Sequence, residues 1–196
     1  GSEAADAPVV HRAFNAAVDW ANGRRGDWIA SPLTITLGDE FQGLIDTLEH
    51  AWLVAAELRF RLMRDDIACR FVVGLAHIQT PVNPERAWNM MGPGLGAARE
   101  KLNDKASNNA HRFSFPDDPA IELLTDAVGD AISQIEADWT KTQKDYVLRT
   151  RLMEQAPAQI AKSMKVSQGA VYKVLRAAQS DYYERQSSAL RKALAI

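Results

Sequence analysis

Hydrophobic residues recur at helical spacing between residues 157 and 178 and divide this segment into two short amphipathic stretches. Apolar side chains three and four positions apart share one face of a helix, so each stretch predicts a short helix with one buried face. The residues on these faces are Ile160, Ala161 and Met164, followed by Val171, Val174 and Leu175. The pattern predicts two helices that pack at a tight turn, with Val166 filling the turn and the small Ala161 where the helices meet.

The polar residues of the second stretch lie on its opposite face, which begins with a serine, a residue type that favours a helix N-cap. This face is polar and basic, as in helices that enter the major groove of DNA. Its residues are Ser167, Gln168, Gly169, Tyr172, Lys173 and Arg176. The segment 157–178 therefore predicts a helix-turn-helix whose partner is duplex DNA. The alternative is a helical hairpin that only packs against another domain. One residue departs from the usual motif: Lys165 lies in the turn at a position where the backbone needs a positive φ, which favours glycine.

Helices and strands alternate in the first part of the chain, and helices alone follow. The elements predicted first are a helix at 9–21, a hairpin of strands at 33–37 and 41–45, a helix at 47–63, strands at 67–73 and 75–80, a helix that runs through Lys101 and a strand at 111–115. The later elements are helices at 120–138 and 140–154, the helix pair and a tail from Ser180. This order predicts an α+β domain at 1–118 followed by an all-α domain at 119–196.

Charge is distributed unevenly along the chain, although the net charge is only −2. Residues 139–196 contain 11 Lys and Arg against 4 Asp and Glu, a net charge of +7, whereas residues 1–138 contain 12 against 21, a net charge of −9. Basic segments attract nucleic-acid phosphates and acidic ones are repelled by them. The division predicts that the helical part contacts DNA and that the acidic part stays clear of it.

Composition excludes several classes of protein. A chain of 196 residues with 46% hydrophobic content can bury a core, which excludes a disordered protein. No apolar run reaches the roughly 20 residues that a membrane-spanning helix needs, so we expect a cytoplasmic protein without a membrane partner. Cys69 is the single cysteine, so no disulfide forms within the chain and a buried, inert thiol is expected. Gly1 and Ser2 have the character of residues left by cloning, so we expect that native sequence from upstream is absent from this chain.

The turn of the predicted hairpin carries two adjacent carboxylates, Asp39 and Glu40, after Gly38. Carboxylates at a hairpin tip can hold Mg²⁺ against the phosphates of a nucleotide. Neighbouring residues of a strand project to opposite sides, so a complete site needs a second carboxylate from another strand. The alternative is that both are solvated turn residues. His77 and His111 are better explained as hydrogen-bonded structural residues than as metal ligands, because no spacing suggests zinc.

Short segments spread over almost the whole chain occur in a characteristic order. They are 36–44 (TLGDEFQGL), 70–75 (RFVVGL), 78–80 (IQT), Gly92-Pro93, 97–100 (AARE), and Trp139-Thr140 with Gln143. This order resembles the SatD family of bacterial proteins. The Gly-Asp-Glu-Phe hairpin is also similar to that of GGDEF diguanylate cyclases, and the strands around Gly74 are similar to those of class III nucleotidyl cyclases. These resemblances imply a ferredoxin-like, palm-like βαββαβ domain with the hairpin at its centre, ahead of the helix-turn-helix domain.

The chain departs from these families around the candidate metal site. Leu37 replaces the first glycine of the GGDEF signature, and Ala76 and His77 stand where the SatD-like pattern has glycine and an acid. The strand that opens such proteins with a Gly-Asp step is missing; such a strand would pair beside the hairpin, cover an exposed sheet edge and restore a two-carboxylate site. The resemblance by itself establishes no activity. These departures, together with the predicted helix-turn-helix, favour the hypothesis of a DNA-binding transcription regulator of the SatD type, with a degenerate nucleotide-cyclase-like domain and no catalytic residues.

Two other hypotheses belong to different classes. One is a metal-dependent nucleotidyltransferase or cyclase-like enzyme, or a nucleotide sensor, that uses Asp39 and Glu40 with Mg²⁺. The other is a module whose helix pair binds a protein. The amphipathic tail suggests a homodimer that reads a palindromic site. Its dimer contact would be formed by Tyr182, Tyr183, Leu190 and Leu194.

Overall fold

A computed structural model describes residues 7–37 and 40–195 as a mixed α/β protein, and the described part contains eight α-helices and four strands. The elements of the first half are α1 (Ala7–Arg24), a 3₁₀ turn at Gly26–Trp28, β1 (Ile29–Leu37), β2 (Glu40–Ile45), α2 (Leu48–Arg64), β3 (Phe71–Gly74), α3 (Leu95–Asn103) and β4 (His111–Ser114). Those of the second half are α4 (Pro119–Ala137), α5 (Lys141–Arg151), α6 (Pro157–Met164), α7 (Gln168–Ala177) and α8 (Ser180–Ala193). The predicted order of helices and strands is confirmed in most of its elements.

The strands form two small sheets rather than one. β1 pairs antiparallel with β2, as the predicted hairpin requires, and β3 pairs in parallel with β4, with Phe71 opposite His111. The described residues therefore do not form a continuous ferredoxin-like βαββαβ sheet. The reason is that β2 and β3, the two strands connected by α2, do not hydrogen-bond with each other.

The predicted strand at 75–80 is wrong, and the one at 67–73 is shorter than expected. β3 ends at Gly74, and residues 75–80 form an extended loop. This loop lies against 91–94, since the His77 N–H donates to the Pro93 carbonyl at 2.9 Å and the Gln79 N–H to the Met91 carbonyl at 2.9 Å. A Cβ added at Gly92 would lie 1.9 Å from the His77 carbonyl oxygen, so only glycine permits this approach.

One hydrophobic core extends across both halves of the chain. Large side chains with almost no solvent exposure come from α2, β4, α4 and α8, and they include Trp52, Leu58, Phe113, Ile132 and Leu190. α4 packs on β4, and α8 packs on α2 and α4. The division at 118–119 stays a prediction, and the core is continuous across it.

The apolar side chains of the tail helix α8 pack into this core. Tyr183, Leu190 and Leu194, three of the residues proposed for a dimer contact, are each about 2% exposed or less, whereas Tyr182 is 41% exposed. The indole N–H of Trp52 donates to the Ser187 carbonyl of α8 at 3.3 Å. The apolar face of the tail is therefore explained by packing within the chain, and the homodimer stays a prediction without that contact.

Candidate functional site

The helices α6 and α7 pack against each other around a small core of their own. Its buried members are Tyr146 of α5, Ile160 and Ala161 of α6, and Val171 of α7, with Val174 and Leu175 half-buried against them. Ile160 and Val171 have no solvent exposure. The predicted buried faces of the two helices are confirmed, apart from Met164, which is 38% exposed.

The turn between the two helices has the backbone that the sequence led us to expect. Lys165 adopts the left-handed conformation, with φ 55° and ψ 42°. The Val166 N–H donates to the Ala161 carbonyl at 3.0 Å, which ends α6, and the Ser167 hydroxyl accepts the Ala170 N–H at 3.1 Å, which caps α7. The expectation that Val166 fills the turn is wrong, because its side chain is 40% exposed. Backbone hydrogen bonds and the Ser167 cap, and not a buried Val166 side chain, therefore close this turn.

The outward face of α7 is accessible over its whole length. All six residues expected on it are exposed: Ser167, Gln168, Gly169, Tyr172, Lys173 and Arg176. Residues 157–178 carry four cations, namely Lys162, Lys165, Lys173 and Arg176, and no Asp or Glu. Within the described part of the chain, none of these four lies within ion-pair distance of a carboxylate. Their charges are therefore directed to solvent or to a ligand.

The end of α7 is fixed to the rest of the molecule. The indole N–H of Trp139, just before α5, donates to the Ala178 carbonyl at 2.8 Å, and both residues are buried. Leu175 contacts both the small core and the main core. Because α7 is held at its C-terminal end, its N-terminal half and outward face project away from the main core.

A buried polar cluster, which the sequence analysis did not anticipate, joins α8 to the α/β part. The Glu136 carboxylate of α4 is 1% exposed and accepts hydrogen bonds from Arg59 Nε at 2.8 Å, His111 Nε2 at 2.9 Å and the Tyr183 hydroxyl at 3.1 Å. His111 was expected to be a structural residue, and this contact agrees with that role. The available signal was the position of Glu136 four residues after Ile132, which puts an acid on the apolar face of α4.

Electrostatics in this cluster favour the ionised carboxylate. Burial disfavours the charged form of Glu136, but the charges and hydrogen bonds of His111 and Arg59 outweigh it, so the pKa of Glu136 lies below its ordinary value. Burial, reinforced by the adjacent carboxylate, raises the pKa of Tyr183 well above its ordinary value. The cluster is therefore an ion pair of Arg59 and Glu136, with His111 and neutral Tyr183 as further donors to the carboxylate.

The β1–β2 hairpin supplies only one described acid to the candidate nucleotide site. Asp39 and Gly38 lie outside the described residues. Glu40, at the start of β2, lies 3.6 Å from a terminal nitrogen of Arg99 in α3. Within residues 7–37 and 40–195, no three His, Cys, Asp or Glu side chains come together as metal ligands would. The described residues do not fit a complete Mg²⁺ site, since Glu40 is the only acid there and Arg99 lies beside it.

The fold and the exposed basic helix define a mixed α/β protein with a basic helical end. The sequence profile of the SatD family matches residues 4–194, so the chain belongs to the SatD family. Neither a curated protein nor a solved structure matches the chain. The described helices include none that is both long and apolar enough to cross a bilayer.

Proposed function

We propose that this protein binds duplex DNA through α7 and acts as a regulator of transcription. The observation that carries the proposal is the outward face of α7, which is exposed, polar and basic and has no acidic residue. In this proposal α6 and α7 form a helix-turn-helix, with α7 in the major groove and the buried face of α6 holding it in place.

The dimensions and residue types of α7 suit this role. It has 10 residues and is therefore about 15 Å long, and it would lie in a groove about 12 Å wide. Gln168 and Tyr172 are positioned to meet base edges, because the amide of glutamine pairs with adenine and an apolar ring surface packs on thymine methyl groups. A Cβ added at Gly169 would meet only the Ser167 Oγ, at 3.9 Å, so the backbone there is accessible to close approach. Lys173 and Arg176 then reach phosphates or guanine.

The charge distribution supports the same orientation. The segment 139–196 carries +7 and the preceding residues −9, so a phosphate backbone attracts one end of the molecule and repels the other. A helix pair that served only to pack against a protein partner would not need four cations without a single acid.

The experiment that tests the proposal measures the affinity of the full chain for mixed duplex DNA by fluorescence anisotropy at low salt. The double variant Lys173→Ala with Arg176→Ala should weaken binding at least tenfold, because two charge-assisted contacts are lost. The matched control is Arg185→Ala with Lys192→Ala, which removes the same charge from exposed positions of α8. Equal losses in the two double variants would show that general charge, and not α7, carries binding.

A nucleotide site at the hairpin is the second candidate function. It rests on Glu40, with Asp39 beside it in the sequence, in a domain that we propose to be cyclase-like and ferredoxin-like but degenerate. It ranks lower because Glu40 lies beside Arg99. If it were a working site, Mg²⁺ with a nucleoside triphosphate would raise the melting temperature, and Glu40→Gln would abolish the rise; we expect no such rise.

A further inference from the structure

The outward face of α4 is apolar, although no described residue covers it. Leu123 and Leu124 are 72% and 67% exposed, and Ala120 and Ala127 beside them are exposed as well. The other face of α4 packs on β4 and α8. A helix that is apolar all round is normally covered all round, and two adjacent exposed leucines form a patch rather than scattered surface residues. The outward face of α4 is therefore a candidate contact surface.

This face lies away from the β1–β2 hairpin. β4 pairs with β3 along one edge, and α4 covers the opposite edge of β4. There the Phe113 N–H donates to the Asp126 carboxylate at 2.7 Å. The Phe115 N–H donates to the Glu122 carboxylate at 2.6 Å. A strand added beside the hairpin would lie across β3 and β4 from α4, so it would leave the two leucines exposed.

A groove of about 300 Å³ lies beside the leucines, between α4 and the loop at 104–109. Its lining includes Leu123 and Ala127 on the apolar side and Asp104, Asp126 and Asp130 on the acidic side. Two cations also line it, but both are engaged: Lys101 pairs with Glu122 and Asp126, and the Arg112 guanidinium donates to carbonyls of the loop. Within the described chain, Asp104 and Asp130 form no ion pair.

Charge limits what can cover this face. Residues 117–138, which include α4, contain seven Asp and Glu and no Lys or Arg. The surface therefore repels nucleic acid and anionic membranes. A second copy of α4 would bring two acidic surfaces together, which also disfavours contact. The occupant that fits is both apolar and basic.

The helix pair α6–α7 carries a surface of that chemistry. Residues 157–178 contain four cations and no acid, the reverse of 117–138. Met164, Val166 and Tyr172 are 38%, 40% and 50% exposed on the same pair. DNA phosphates would leave Met164 and Val166 uncovered, whereas leucines would pack on them. In this chain α7 packs on α5, α6 and α8 and the outward face of α4 stays exposed, so the two surfaces can meet only between two copies.

We propose that the leucine-bearing, acidic face of α4 in one copy binds the basic face of α6–α7 in a second copy. Leu123 and Leu124 would pack on the exposed apolar side chains at the α6–α7 turn, and Asp130 would pair with Lys173 or Arg176. The two surfaces differ, so the contact is heterologous. Their opposite charges set its partner and its orientation.

The contact would regulate the site proposed for DNA. The acidic face offers α7 the same sign of charge as a phosphate backbone, so a second copy and DNA would compete for Lys173 and Arg176. A rise in protein concentration would thus weaken DNA binding. This consequence rests on the proposed function, whereas the contact itself does not require that α7 binds DNA.

Sedimentation velocity of the full chain at low salt tests the contact with two double variants that change only exposed side chains. Leu123→Ser with Leu124→Ser removes the α4 surface, and Lys173→Ala with Arg176→Ala removes the α7 surface. The wild type should self-associate as its concentration rises, and each double variant should need at least about tenfold more protein, because central contacts carry most of the affinity. An equimolar mixture of the two variants should form a 1:1 complex with wild-type affinity, since each retains the surface that the other lacks.

Two control variants remove similar side chains elsewhere. Leu75→Ser with Met91→Ser deletes two exposed apolar side chains, and Arg185→Ala with Lys192→Ala deletes two exposed cations of α8; both should associate like the wild type. Duplex DNA should dissociate the wild-type complex if α7 binds DNA. If DNA does not bind, association and its recovery in the mixture should persist, so failure of the proposed function is distinguishable from failure of this contact.

Three results would overturn the proposal. They are a wild type that stays monomeric at every concentration, association that the two double variants weaken no more than the controls do, and a mixture of the double variants that stays monomeric. The last result would indicate contact between two like surfaces rather than between α4 and α7.

Discussion

The Glu136 cluster predicts a large and specific loss of stability in the variant Glu136→Gln. The carboxylate is 1% exposed and neutralises Arg59, whose side chain is 14% exposed. Glutamine keeps the size of the side chain but leaves the arginine without a counter-ion in a mostly buried site. Removing one partner of a buried ion pair costs about 3–5 kcal/mol. That is a large fraction of the roughly 5–15 kcal/mol by which folded domains are stable.

A matched variant separates the ion pair from the rest of the cluster. Tyr183→Phe deletes only the hydroxyl that donates to Glu136 at 3.1 Å, so the loss should be about 1.5–3 kcal/mol, the value of a hydrogen bond to a charged group. Urea denaturation followed by circular dichroism measures both losses. A loss of stability below about 1 kcal/mol for Glu136→Gln would be far smaller than the loss expected for a broken buried ion pair. That result would refute the view that this cluster holds α8 onto the α/β part.

The pH dependence follows from the lowered pKa of Glu136. A carboxyl group whose pKa is lower in the folded than in the unfolded state adds stability above the unfolded value, about 4.3 for glutamate. That contribution is lost as pH falls through the folded pKa. The stability difference between the wild type and Glu136→Gln should therefore be constant near neutral pH and shrink in acid. A difference that grows in acid would contradict the direction of the shift.

Two further predictions concern the backbone. Lys165→Gly should raise the free energy of unfolding by about 1 kcal/mol in a urea titration, because lysine is strained at φ 55°; a loss of stability would contradict this. Gly92→Ala should lower the melting temperature by several degrees in a thermal scan, since its Cβ would lie 1.9 Å from the His77 carbonyl, whereas Gly23→Ala, with open space around it, should have little effect.

Local patterns in the sequence predicted most helices and the α6–α7 pair. The spacing that places Ile160 and Val171 in the same core, and the N-cap at Ser167, depend on residues within a few positions of one another. Periodicity of this kind is visible in one sequence. The positive φ of Lys165 was also anticipated, because the length of the turn requires it.

Contacts between residues that are distant in the sequence were harder to predict. The segment 75–80 has the composition of a strand, yet its contact with 91–94 depends on the close approach at Gly92. The apolar face of the tail was interpreted as a dimer surface, because periodicity shows that a face is buried but not what covers it. In the structure Leu190 and Leu194 on this face pack in the main core of the same chain. The Glu136 cluster joins residues up to 124 positions apart, from Arg59 to Tyr183, so local pattern could not reveal it.

The measurement that tests the central claim most directly is the salt dependence of DNA binding by the full chain and by the Lys173→Ala, Arg176→Ala double variant. Each phosphate contact contributes about −0.9 to the slope of log affinity against log salt concentration. We predict a steep negative slope for the wild type and a slope shallower by about 1 to 2 for the variant, as expected when one or two phosphate contacts of α7 are lost. Parallel lines for the two proteins, or no binding of the wild type at low salt, would contradict the assignment of α7 as the DNA-binding helix.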